Sequence, residues 1–481
     1  MRIDEFIDRS RELNGKVVKE RSPWNTVATA DAIRHIAQGI SDDNPLWTDS
    51  SYAKRSRFGK LVAPPAFLTS VVYPMLHGAP MEVPLASLIG KLEYVWHRPV
   101  LVGDAISGST RQLDVIDTEI EGRRGIYILS ETSYWNGNGE VVGRANGTLI
   151  RLAVDESRPL TNRKIARYTD QQLEEIGAAQ LAEKRTGENL IRPVAADVDT
   201  QVPALVRGPL TVGDMICWQA GSGPSYRPGS LGYRDALNAP HSSVFNPATG
   251  WPVKNSQQHE DFLLAAQRGM PAPFDNGVMR FAWITPLFTN WMGDNGELRK
   301  MSVQITAPNL YGDTTWYRGR IRKIVEEADG SLAMIQLTGT NQLGDVTTTG
   351  RAEVWLPREK REKIKHLLGT ARDRDATLNP SWVQRFIEKV REQPDAIAVE
   401  DGLTTLSYAE LDERATRWAH RLRARGAGVG RYVGLCLHRS ADLVTAIVAV
   451  LKSGSAYIHL DPTYPGERIL FMLEDARPVL L

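Results

Sequence analysis

The chain runs to 481 residues, more than one ordinary domain of roughly 100–200 residues, so two to four domains are expected. Hydrophobic residues at 42% and charged residues at 24% exclude a disordered, collagen-like or coiled-coil chain. Lys+Arg 58 against Asp+Glu 57 leave a net charge of +1, which gives no electrostatic case for a nucleic-acid partner.

The first twenty residues are charged throughout, without the apolar core of a secretory signal, and no apolar run reaches the length of a membrane span. Cys217 and Cys436 stand far apart without neighbouring metal ligands, so no disulfide framework and no metal site are expected. These features predict a cytoplasmic protein that does not enter the membrane.

In chain order, the patterning predicts a short helix over Ala30–Gly39 and a strongly apolar helix over 66–76. Alternating, β-branched-rich strands follow near 88–96, 104–115, 125–135 and 141–152. A linker with one polar helix covers 156–205. The plan then recurs, with a helix over 211–221, a second apolar helix over Gly277–Met292, and strands near 300–306, 314–325, 333–341 and 347–355. Between those two helices, 226–259 is rich in Gly, Pro, Ser and Asn and reads as a long loop.

The recurrence is visible residue by residue. Pro99 and Gly103-Asp104 return as Pro308 and Gly312-Asp313, and Ala63-Pro64 return as Ala272-Pro273, all 209 positions on. Gly143-Arg144-Ala145 return as Gly350-Arg351-Ala352. Two copies of one unit are therefore expected. A single sheet curled on one helix leaves an edge exposed, so the copies should pair.

The loop after the first helix reads Gly39-Ile40-Ser41-Asp42-Asp43-Asn44-Pro45-Leu46-Trp47-Thr48-Asp49, then Tyr52-Ala53. This resembles the Ser-Gly-Asp-x-Asn-Pro-Leu-His signature of MaoC-like (type-two) enoyl-thioester hydratases, as do Gly59-Lys60-Leu61-Val62-Ala63-Pro64-Pro65-Ala66-Phe67 and the strand ending at Gly103-Asp104. The resemblance implies an α+β double hotdog, two antiparallel sheets each wrapped on a long helix, with copies at 1–155 and 206–357. It also implies water addition to, or removal from, an acyl thioester. In the family an Asp and a His share the water, an Asn supports their loop, and backbone N–H groups at the buried helix start bind the thioester oxygen.

Carried over, Asp42 takes the acid–base position and Asn44 the supporting one, with Asp43, Trp47, Asp275, Asn276 and Gly277 assigned to substrate contact. The sequence departs from the pattern where Trp47 replaces the His and Ser41 the Gly. The second copy has Ala220-Gly221-Ser222-Gly223 at the corresponding place, without Asp, Asn or His. His259 and His241, in the long loop, are the candidates for the missing proton donor, although both also read as ordinary loop histidines. His35 and His97 read as solvent-facing.

A charged linker at 358–379 leads to a last region, 380–481. There Leu406-Ser407-Tyr408-Ala409-Glu410-Leu411 and Leu451-Lys452-Ser453-Gly454-Ser455-Ala456-Tyr457 resemble the first two core motifs of nonribosomal peptide synthetase adenylation domains. The resemblance implies a small α/β piece of such a domain. Because the family's phosphate loop, ribose-binding Asp and catalytic Lys are absent, no ATP use is expected. The substrate would ride on coenzyme A or phosphopantetheine, with no other cofactor. Partners would be acyl-CoA or an acyl or peptidyl carrier protein and neighbouring synthetase modules, with homodimers also expected. Three functions stay open: hydratase or dehydratase, catalytically silent thioester-binding module, and hotdog thioesterase using Asp275.

Overall fold

In the computed structural model the two Gly-Asp turns are built alike. The Asp104 carboxylate accepts the Leu101 N–H at 2.9 Å, and Asp313 accepts the Leu310 N–H at 2.7 Å. Gly103 and Gly312 take positive φ of 93° and 86°, a region glycine enters without strain. Each turn feeds a long antiparallel strand. The structure describes residues 3–18, 23–79, 85–120, 122–153, 159–189, 191, 197–223, 226–358, 382–402, 404–464 and 466–481. They fall into two units, Met1–Lys363 and Ile364–Leu481.

The first unit begins with α1 (Ile3–Arg11) and the short β1 (Val17–Val18). Then come α2 (Ala30–Gly39), α3 (Pro45–Thr48), α4 (Ser50–Arg55) and a 3-10 helix over Pro65–Ser70. Four strands follow: β2 (Leu85–Trp96), β3 (Ile106–Ile120), β4 (Arg123–Asn136) and β5 (Val141–Ala153). The connecting region holds α5 (Asp170–Leu181) and β6 (Gln201–Arg207), and α6 (Val212–Ser222) opens the second copy. After α6 stand α7 (Gly229–Asn238), β7 (Ser243–Phe245), β8 (Pro252–Lys254) and α8 (Phe262–Gln267). The last elements are α9 (Gly277–Met292), β9 (Glu297–Ile305), β10 (Thr315–Glu326), β11 (Gly330–Asn341) and β12 (Val346–Pro357).

Ten strands form one sheet in the order β1-β3-β4-β5-β2-β9-β12-β11-β10-β6. The halves β3-β4-β5-β2 and β10-β11-β12-β9 mirror each other, and the exposed edges meet as β2 and β9 pair antiparallel, Tyr94 opposite Met301. Between the bulges, strand alternation carries from β11 across the seam to β3. The register row Ile335, Ala352, Met301, Tyr94, Ala145, Thr132 and Thr110 is buried throughout. The neighbouring row, Arg320, Gln336, Arg351, Ser302, Glu93, Asn146, Glu131 and Arg111, is polar.

Helix α9 is apolar on nearly every side, and thirteen of its sixteen residues are buried. It is the long central helix of the second copy. The first copy lacks one: where a helix over 66–76 was expected, only the 3-10 helix Pro65–Ser70 forms. Several local features accompany the shortening, although α9 itself accommodates Pro286 and a Thr285 hydroxyl turned onto the Ala282 carbonyl. Thr69 and Ser70 turn their hydroxyls back onto the Ala66 and Phe67 carbonyls at 2.6 and 2.7 Å, β-branched Val71 and Val72 follow, and Pro74 has no N–H for an α-helical bond.

Two further expectations need correction. The stretch 226–259 is not a bare loop but carries α7, the β7–β8 hairpin and two 3-10 turns, with Tyr233 against Trp251 at 5.1 Å. The region 156–205 is more than a linker, because β6 covers the free edge of β10.

The second unit is α/β. Helix Trp382–Glu392 precedes a hairpin of Ile397–Glu400 with Thr405–Ser407, and a capping box between Ser407 and Glu410 starts helix Tyr408–Ala424. Parallel strands Tyr432–Leu435 and Ala456–His459 are joined through helix Ala441–Ser453. From residue 359 on, the charged linker lies outside the described residues.

Candidate active site

The start of α9 is the most elaborately held point of the first unit. Asn276 caps the helix, its side chain accepting the Val278 N–H at 2.9 Å. Gly277 follows, where a Cβ would lie 2.6 Å from Cβ of Ile89, so the seam strand leaves room for glycine alone. The residue before the cap, Asp275, is buried and takes a bidentate grip from Arg280 at 2.6 and 2.5 Å. The Asn309 backbone N–H adds a third bond at 3.1 Å. Arg280 in turn donates to the Ala307 and Thr347 carbonyls. Asp275, assigned above to substrate contact, is thus a buried structural partner with both oxygens occupied.

Two side chains reach this helix start from different parts of the chain. His259 ends the 3-10 turn after β8; its ring meets Phe274 edge-on at 4.6 Å and its Nδ1 lies 2.7 Å from the Phe274 carbonyl. A carbonyl only accepts, so Nδ1 carries the proton and the neutral ring leaves Nε2 as an acceptor. Burial, the leading cause, lowers the His259 pKa, although the Phe274 bond and the Asp275 charge oppose it. Tyr73, from the first copy, stands beside the Asn276 side chain, and burial pushes its hydroxyl up to about 12. Sequence patterning had placed Tyr73 inside an ordinary helix and offered no signal for it.

Next to His259, Glu260 accepts from the Gln219 side chain through one oxygen, and its other oxygen is buried with no partner among the described residues. Burial pushes its carboxyl up to about 7. Its signal in the sequence was adjacency to His259. His241 lies on the 3-10 turn Pro240–Ser242, but its side chain is outside the described residues. His35 and His97 are exposed.

The Asp42 loop is built differently. Asp42 closes α2, its N–H bonded to the Ala37 carbonyl at 2.9 Å, and Ser41 before it takes φ 55°, a region that favours the family's glycine. Asp42 is 5% exposed. The indole Nε1 of Trp47 donates to its Oδ2 at 2.9 Å, and the Asn44 N–H donates to its Oδ1 at 3.1 Å. Burial raises its pKa, against the pull of those two bonds and of Arg207 and Arg185. Among the described residues no imidazole acts on this carboxylate. Asn44 supports the loop by capping α3, accepting the Leu46 N–H at 3.0 Å. Trp47 is buried in the loop, and Asp43 is exposed and paired with Arg185. The structure therefore brings Asp42, Asn44 and Trp47 together, and separately His259 with Asp275, Asn276 and Gly277.

Among the described residues no cluster of three His, Cys, Asp or Glu side chains is placed to hold a metal, and no helix is long and apolar enough to cross a membrane.

Residues 16–145 match the family described as FAS1-like, dehydratase domain region, and residues 386–481 match the AMP-binding enzyme family. A solved MaoC-like dehydratase, 15% identical, superposes with a TM-score of 0.50 over 73% of this chain and all of its own, which shows the shared fold. Tyrocidine synthase 2 of Brevibacillus parabrevis is 36% identical over 153 residues, 31% of this chain and 4% of that protein. The dimodular nonribosomal peptide synthase of Bacillus subtilis (strain 168) is 46% identical over 98 residues, 20% of this chain and again 4% of the relative. The chain thus spans a small part of these relatives. It joins a double hotdog with the fold of MaoC-like dehydratases to a region, residues 386–481, that is similar to AMP-binding enzymes and to stretches of nonribosomal peptide synthetases.

Proposed function

We propose that the double hotdog adds water to, or removes it from, an enoyl or 3-hydroxyacyl thioester at the start of α9, with His259 rather than Asp42 exchanging the proton. The observation that carries this reading is the half-buried His259, its pKa lowered by desolvation and its Nδ1 tied to the Phe274 carbonyl, which leaves Nε2 to serve as the base. In hydration, Nε2 takes a proton from water as the oxygen bonds the β-carbon. Negative charge then builds on the thioester oxygen, where the helix dipole and the Gly277 N–H favour it. Glu260, able to hold a proton near neutral pH, returns one to the α-carbon. The adenylation segment supports a place in peptide or mixed polyketide–peptide assembly, with substrate on coenzyme A or a carrier protein.

The sealed Asp42–Trp47 pair favours a second reading, in which the module binds the thioester without turnover. Incubating the protein with an enoyl and a 3-hydroxyacyl thioester and following mass separates the two. A gain or loss of water supports hydro-lyase chemistry. Release of free thiol indicates a thioesterase, and an unchanged substrate that still binds leaves the silent cradle.

A further inference from the structure

We propose that the outward face of β10 is a docking surface for an acidic helix of a partner protein. This inference does not depend on the reading of the α9 start.

Strand β10 places four cations within six positions, Arg318, Arg320, Arg322 and Lys323, all exposed. Tyr317, Gly319 and Ile321 between them are buried, so alternation turns Arg318 and Arg320 to the outer face of the sheet. A register shift between Ile321 and Lys323 then leaves Arg322 and Lys323 both in solvent. Strand β11 faces them with uncharged residues, Thr338 opposite Arg318, Gln336 opposite Arg320 and Met334 opposite Lys323. Beyond Gln336, β12 adds the exposed Arg351. Arg318, Arg320, Arg322, Gln336 and Thr338, with Gln201 of β6, line an open groove of about 420 Å³.

The first copy carries the same face in neutral form. Arg111 lies 209 positions before Arg320, the spacing of the repeated Gly-Asp turns, and the two strands shift register at matching points, between Gln112 and Asp114 and between Ile321 and Lys323. The copies therefore align residue by residue here. Arg111 faces Glu131 and pairs with it at 2.9 Å, whereas Arg320 faces Gln336. Where the second copy has Arg318, Arg322 and Lys323, the first has Ser109, Leu113 and Asp114.

Compensation on this face is slight. Asp199 pairs with Arg322, and its carbonyl accepts from Arg320 at 3.1 Å. Glu326 is held by Arg358, and Glu353 stands opposite Lys300. Two neighbouring stretches lie outside the described residues and bring no surplus of acid. Residues 192–196 contain Arg192 and no Asp or Glu, and residues 359–381 contain six Lys or Arg against four Asp or Glu.

Spacing selects the partner. Residues on one face of a strand follow at about 6.6 Å, and residues one turn apart on a helix at about 5.4 Å, a difference that long arginine side chains absorb. A stripe of carboxylates along one helix face thus matches the cation row over several steps. One phosphate would call for donors converging on a point, whereas these guanidiniums are exposed and spread along the strand. Contacts of this kind steer and orient a partner and weaken steeply with salt.

The test uses the full chain and a fluorescent, Ala-rich helical peptide of about twenty residues with Glu at every fourth position, beside the same peptide with Gln. At low ionic strength the wild-type protein should bind the Glu peptide about tenfold more tightly than the Gln peptide. The double variant Arg318→Gln, Arg320→Gln, shown to be folded by its urea transition, should lose that preference. Arg111→Gln, at the equivalent place in the first copy, should keep it. Equal affinity of the wild type for the two peptides, or a preference that survives in the double variant, overturns the docking surface. Inorganic phosphate that displaces the Glu peptide better than chloride at matched ionic strength makes the face a phosphate site and overturns the helical partner.

Discussion

A carboxylate can exchange protons with substrate only while one of its oxygens can reach a reacting atom. Each oxygen of Asp42 already accepts one hydrogen bond, Oδ2 from the Trp47 indole and Oδ1 from the Asn44 backbone, and the carboxylate is only 5% exposed, which favours a role in holding the loop. Replacing Trp47 by Phe removes the indole donor and leaves a buried oxygen unpaired. The expected loss is about 1–3 kcal/mol of stability, read from urea unfolding. Glu260 titrates in the opposite sense to an ordinary ion-paired acid. Its folded pKa of about 7 lies above the unfolded 4.5, so between these values the folded state binds the extra proton and stability falls as pH rises. Glu260→Gln should therefore stabilise the protein at pH 8 by about 3 kcal/mol more than at pH 4.5, seen as a pH-dependent gap between unfolding curves. Asp42 was legible because its neighbours spell a known pattern. The pairing of His259 with the Phe274 carbonyl was not, since it joins residues brought together only when the insertion folds.

The two central helices had looked alike, yet only one forms. Periodicity reports which residues are apolar, and both stretches are, but it does not tell a short 3-10 turn such as Pro65–Ser70 from a full α-helix. Gly277–Met292 was readable to its ends because a capping Asn precedes a continuous apolar run. The insertion was misread because Gly, Pro and Ser mark turns equally well in a bare loop and in a tight hairpin. At the head of α9, Asp275 is buried and held by Arg280 and the Asn309 backbone, which makes it a candidate for stabilising the fold. Asp275→Ala should cost about 3–5 kcal/mol by stranding a buried guanidinium. A thermal or urea melt will show that loss. A variant that melts like the wild type would return Asp275 to the list of substrate groups.

Across the first unit, the repeated Gly-Asp turns made the duplication readable from spacing alone, and the seam between β2 and β9 follows from two exposed edges that need partners. What spacing did not reveal is that the copies have diverged in load. Asp104 accepts the Leu101 N–H of its own turn, whereas Asp313 also binds Arg163 at 2.8 Å and Gln342 at 2.7 Å. Asp313→Ala should therefore destabilise by about 3–5 kcal/mol and Asp104→Ala by about 1 kcal/mol, compared by urea unfolding. Equal losses would mean that the two turns still carry equal weight. The same divergence separates the motif-bearing loop of one copy from the long helix of the other.

The most direct test measures incorporation of oxygen-18 from labelled water into an enoyl thioester by the wild-type protein and by His259→Gln and Asp42→Asn, each first shown to be folded. Incorporation is expected from the wild type and from Asp42→Asn, and none from His259→Gln. Incorporation that survives in His259→Gln and vanishes in Asp42→Asn would contradict this and return the chemistry to the Asp42 loop.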